Sequence, residues 1–394
     1  MRRMHRSITC AVSFLAAIAA DSASADSYAC RALSCSTLIP SKPIDDPTIR
    51  DCGYRKGNQW WVDHVAGSLA WRDGDEPSRE RVTVAIFDDG ANLDHEDLRE
   101  QLWTNRLEAQ GKTGVDDDRN GYIDDLHGWD FVDDDASVAP QGDCATTPNH
   151  GTFMASLVAA RRDNGAGIVA AGSDGAQVMV LRIVGCGGAA MRTDPARVRR
   201  ALEYAMAQGA KILSFSAHWS VTSPELDAAF AAIAGGSHPE SAAIVVASVP
   251  NKGEANTGYP AAYPFRGIIR AVPIGNDDII SPGTSPAPAG LNFGAPSACV
   301  LGATGAGGYA IRQGSSNSTA ILSGVLAGIW SSPRYAKFSP DRFLEEVVEA
   351  RMARTPRRSK PGTGGTHPDG VPLADACTLA SQQRTARVCQ SRGP

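Results

Sequence analysis

The chain has 394 residues, 42% of them hydrophobic, so it can bury a large core as one big domain or two smaller ones. A net charge of −5 is too mild to argue for nucleic acid or for an anionic membrane surface as partner. Forty glycines and 24 prolines predict many turns and long surface loops.

The N-terminus reads as a secretory signal over residues 1–25. Arg2, Arg3 and Arg6 precede an apolar stretch from Ile8 to Ala20, and Ala23-Ser24-Ala25 offers a small-residue cleavage site. The stretch is shorter than the roughly 18 residues a membrane span needs, so no span is expected once the signal is removed. The expected location is therefore secreted or periplasmic. Cys30, Cys35, Cys52, Cys144, Cys186, Cys299, Cys377 and Cys389 lie beyond the signal. An even number in an exported chain favours disulfides, with the pairing left open, and none shows the C-x-x-C spacing of a zinc site. Residues 26–57 are polar and without periodicity, a cysteine-containing extension.

From residue 58 to 350 the pattern changes to alternating strands and helices. Val82 to Phe87 is an apolar run closed by Asp88-Asp89-Gly90, a buried parallel strand with carboxylates at its C-terminal end. Asp116, Asp118, Asn120 and Asp124 carry the odd-position oxygens of a calcium loop, although His127 stands where an EF-hand has its bidentate Glu. Asn149-His150-Gly151-Thr152 opens a small-residue helix. Further strands are predicted over 177–184, 211–216 and 242–247, with helices over 195–208 and 225–234. Shorter strands follow near 267–273 and 309–312. Gly314 to Ser318 then turns into an apolar helix reaching Trp330, whose N-terminus suits a nucleophile or an anion. This alternation argues α/β, a mostly parallel sheet with helices on both faces. Residues 351–394 read as a linker, a segment from Gly370 to Ala380 that resembles the closing helix of a known family named below, and a tail.

Three blocks taken together resemble the subtilisin-like serine peptidases. They are Asp88-Asp89-Gly90, His150-Gly151-Thr152-Phe153-Met154-Ala155-Ser156 and Gly314-Ser315-Ser316-Asn317-Ser318, in the Asp, His, Ser order of subtilisin. The resemblance implies Ser316 as nucleophile, His150 as general base and Asp88 as its orienting carboxylate, with Asp89 the competing acid. It implies Asn251 as an oxyanion donor, in Ala247-Ser-Val-Pro-Asn-Lys-Gly253, although Pro250 replaces the family's glycine. It places Ser216, Ala217, His218 and Trp219 on one wall of the substrate pocket, where the family keeps bare glycine backbone. A shallow or partly filled pocket follows as the expectation. The acidic loop and the Gly128-Trp-Asp-Phe131 after it are similar to insertions that occur in the family, and the alternative to a calcium loop is an acidic surface turn stiffened by its own side chains.

Two functions stay open at this point. One is an exported serine endopeptidase acting on protein or peptide substrates, needing no cofactor for its chemistry and carrying structural calcium. The other is a non-catalytic binding or structural protein on the same fold, suggested by Phe153, Ser156, Pro250 and Asn317-Ser318.

Overall fold

The computed structural model describes residues 59–65, 80–141, 149–185, 194–235, 243–250, 258–355, 357–361 and 369–374. The predicted signal, the extension at 26–57 and Asn251 lie outside them. The described chain begins with a short helix, α1 (Trp60–His64). Strand β1 (Val82–Asp88) follows, then α2 (Arg106–Gln110), β2 (Gly128–Asp130), α3 (His150–Ala159), β3 (Ala176–Arg182) and α4 (Pro195–Ala207). After them come β4 (Ile212–Phe215), α5 (Pro224–Ala234), β5 (Ile244–Ser248), β6 (Ile268–Ile274) and β7 (Leu291–Pro296). A hairpin of β8 (Val300–Ala303) and β9 (Tyr309–Arg312) leads into α6 (Ser315–Trp330). Predicted and observed boundaries differ by two residues at most for β1, β3, α4, β4, α5 and β5.

Seven strands form one sheet in the order β2-β3-β1-β4-β5-β6-β7, every pairing parallel. Because side chains alternate along a strand, each central strand feeds two cores. Val84 and Ile86 of β1 join the cluster that includes α3 and α6, while Ala85 and Phe87 join the one beneath α4 and α5. Burial on both faces is why these strands read as unbroken apolar runs. Helices α3, α4 and α5 each start on a side-chain cap. Asn149, Asp194 and Ser223 accept from the amides of Thr152, Ala196 and Leu226, with Pro195 and Pro224 where a missing N–H costs nothing.

Helices α3 and α6 lie side by side under the sheet. A Cβ on Gly324 would stand 2.7 Å from the Val158 carbonyl, so the small residues noted in the sequence permit this approach. Residues 371–374 run extended along the outer edge of β7, with Gly294 N–H to Pro372 O and Ala374 N–H to Gly294 O, both 2.8 Å. The helix expected to open at Gly370 is therefore not formed in them: Val371 and Leu373 instead cover an edge that would otherwise be open. No described helix is long and apolar enough to cross a membrane.

Candidate active site

The C-terminal ends of β1, β4 and β5 converge with the N-termini of α3 and α6, the position where open α/β sheets place their sites. Asp88 is the last residue of β1 and is 4% exposed. His150 is the first residue of α3, and its Nδ1 lies 2.8 Å from both Oδ1 and Oδ2 of Asp88. An ionised carboxylate there fixes the proton on Nδ1 and leaves Nε2 as a base. Asp89 does different work. Its carboxylate accepts from the amides of Gly151 at 2.7 Å and His150 at 3.3 Å, and from Asn149 Nδ2 at 2.6 Å. It thus holds the start of α3, and burial together with neighbouring Asp88 pushes its pKa up to about 6. A Cβ on Gly151 would meet the Gly90 carbonyl at 2.1 Å, so the glycine after the histidine allows the two elements to touch.

Every residue of α6 is buried except Ser316, its second residue. Gly314 precedes the helix at φ 149°, in a region open chiefly to glycine, and offers no side-chain cap to its first amides. The Ser316 hydroxyl donates to the Ser216 carbonyl at 3.0 Å, and Ser216 Oγ donates to the Ser316 carbonyl at 3.1 Å. No hydrogen bond joins Ser316 to His150 in the structure. Ser315 turns the other way and accepts from Ser248 Oγ at 2.8 Å.

The expected pocket wall is only partly as read from the sequence. Ser216 and Ala217 are buried beside the serine turn. Trp219 does not enter the cleft: it is 5% exposed and packs on Phe215 and Phe230, at 5.7 and 6.2 Å between ring centroids. A large indole next to an aromatic core gains more from that core than from a wet cleft. Its backbone pairs with Tyr259 in both directions. His218 remains as the one large side chain at the wall, against Gly258, where a Cβ would stand 3.3 Å from that of His218. Trp219→Ala should accordingly cost about 3–5 kcal/mol of stability, the range for emptying an aromatic core site. Urea unfolding checks this, and a change below 1 kcal/mol would mean the ring is not seated in the core.

In the acidic loop, Glu108 of α2, Asp118 and Asp125 bring one carboxylate oxygen each to within 4.8 Å of one another. Such an all-oxygen set fits a hard cation such as calcium. Of the four ligands read from the sequence, Asp118 belongs to this cluster. Asn120 borders it, donating to Asp118 at 3.1 Å and Asp125 at 2.8 Å. Asp116 instead accepts from the Asn120 and Gly121 amides, and Asp124 from the Gly114 amide. Glu108 lies on a separate helix, outside any loop spacing, so the sequence offered no signal for it. Burial pushes Asp125 up to about 6. Of the eight cysteines, Cys299 is described, and it is disulfide-bonded.

The sequence profile of the subtilase family matches residues 79–364, spanning both blocks at β1 and α3 and the serine turn. The chain belongs to the subtilase family. Subtilisin-like protease 1 of Plasmodium vivax is 36% identical over 124 residues, 31% of this chain and 18% of that protein. Halolysin of Haloferax mediterranei is 26% identical over 207 residues, 52% of this chain and 33% of its own length. The aligned segments thus span a third or less of these subtilase relatives. A cold-adapted subtilisin-like serine proteinase superposes with a TM-score of 0.54 at 18% identity, covering 75% of this chain and 88% of its own. At that identity the likeness speaks to the fold alone, and the fold is that of the family.

Proposed function

We propose that the chain is an exported serine endopeptidase that cleaves peptide bonds through Ser316, His150 and Asp88. The observation that carries this reading is His150 held through Nδ1 at 2.8 Å by the buried Asp88, which leaves Nε2 available as a base. Ser316 Oγ attacks the scissile carbonyl carbon as its proton passes to His150 Nε2. The tetrahedral oxyanion is met by the Ser316 amide, at a helix position with no intrahelical acceptor, and by the side chain of Asn251. Collapse breaks the C–N bond, and the leaving amine takes the proton from His150. Water then repeats the sequence on the acyl-enzyme and releases the acid.

A second reading, a non-catalytic protein on this fold, draws on one observation. The Ser316 hydroxyl is bonded to the Ser216 carbonyl rather than to His150. A fluorophosphonate probe separates the two readings, because it reacts only with an activated serine. Stoichiometric labelling of the wild-type protein, mapped to Ser316 by peptide mass analysis, is the expected result. Absence of label, or label on another serine, would refute the peptidase reading.

We further propose that Glu108, Asp118 and Asp125 hold a structural calcium ion, with no part in the chemistry. At a calcium concentration about 100 times Kd the ion would contribute about 2.7 kcal/mol. Chelation should then lower the melting temperature, and Asp118→Ala should abolish most of that response. Identical melting curves with and without chelator would leave the cluster as a hydrogen-bonded turn.

A further inference from the structure

Phe153 and Ser156, two of the departures from the family's histidine block, meet the same partner. Ser156 Oγ donates to the Phe153 carbonyl at 2.7 Å and accepts from the Ala303 amide of β8 at 3.0 Å. The fully buried Phe153 ring lies where a Cβ on Gly302 would be 2.7 Å away, so β8 rests against the ring. From β9, the Arg312 guanidinium carbon stands 4.7 Å from the same ring centroid, within cation–π range. Phe153 follows His150 by three positions and so shares its face of α3. Arg312 precedes Ser316 by four residues, and its carbonyl accepts from Asn317 Nδ2 at 3.2 Å. One arginine therefore has its backbone tied to the serine turn and its side chain on the histidine helix.

Its charge matters as much as its contacts. Asp89 and Asp88 of β1 act on it electrostatically, while β8 and the first turn of α6 carry no charge. Burial lowers the Arg312 pKa, while Asp89 and then Asp88 raise it. A guanidinium beside two carboxylates offsets part of their negative charge.

We propose that Arg312 is a positioning residue of this site, locking the histidine helix to the serine turn and placing a positive charge beside Asp88 and Asp89. The inference rests on the triad reading above. The test compares wild type with Arg312→Met, whose chain keeps a thioether on the ring, and Arg312→Lys, which restores the charge. NMR titration of the His150 ring should show its midpoint rise by about 0.5–1 pH unit in the Met variant and return toward wild type in the Lys variant. The acid limb of probe labelling at Ser316 should move the same way. If the Met variant fails to fold, Arg312→Gln takes its place with the same expectation. Equal midpoints in wild type and the neutral variants, or a uniform fall at every pH, would overturn the proposal. The ring titration does not depend on activity. A midpoint shift between wild type and the Met variant, with no labelling of the wild type, would defeat the triad reading and leave the role of Arg312 standing.

Discussion

Ser316→Ala should lower peptide hydrolysis by about 10⁶-fold and leave the fold intact. The side chain loses one partly exposed hydroxyl and one bond to the Ser216 carbonyl, so stability should change by about 0.5–1.5 kcal/mol. Neighbouring serines have no means to take over. Ser315 faces Ser248, and the Ser318 hydroxyl is buried against the carbonyls of Ala295 and Pro296. His150→Ala should cause a similar loss, because the serine is a poor nucleophile once nothing accepts its proton. Residues acting as one unit are not additive, so the double variant should be little worse than either single one. Measured kcat/KM on a chromogenic peptide decides it. Retention of more than about 1% of activity by Ser316→Ala, or a double variant whose losses multiply, would break the assignment.

The central strands β1, β3, β4, β5 and β6 were legible because burial on both faces writes them as continuous apolar runs, and Val82–Asp88 shows this most plainly, whereas β2, β7 and β8 carried no such signal. The candidate site was legible where it depends on short local blocks, since the turn after β1, the start of α3 and the start of α6 each demand specific small or capping residues. What escaped the sequence depends on contacts between distant segments. Nothing in Gly370–Leu373 announces that it will cover an edge strand rather than begin a helix, because that choice is made by Gly294 and its neighbours. Trp219 sits where a pocket wall was expected, but Phe215 and Phe230 offered it a drier place. Glu108 joins Asp118 and Asp125 from a helix before the loop. Phe153 and Ser156 looked like damage to a catalytic block, and the β8–β9 hairpin gives them partners that the sequence does not announce.

Asp88→Asn should lower kcat by about 10⁴-fold near neutral pH, with KM little changed. The substituted amide keeps the size and position of the carboxylate, so the effect is one of proton placement. In the native protein both oxygens of Asp88 lie 2.8 Å from His150 Nδ1, and Oδ1 also accepts the Asp89 amide at 2.9 Å. With asparagine, the amide oxygen keeps that backbone bond and the NH₂ group turns toward Nδ1. The imidazole then carries its proton on Nε2, facing the serine, and has no lone pair there to accept another. Asp88 does not touch substrate in this scheme, which is why KM should hold. Asp89→Asn supplies the control, since Asp89 bonds the amides of His150 and Gly151 instead of the imidazole. Its loss weakens the start of α3 by about 1 kcal/mol and leaves the tautomer alone, so activity should fall less than about tenfold. If the order of the two effects were reversed, the roles of the adjacent acids would have to be exchanged.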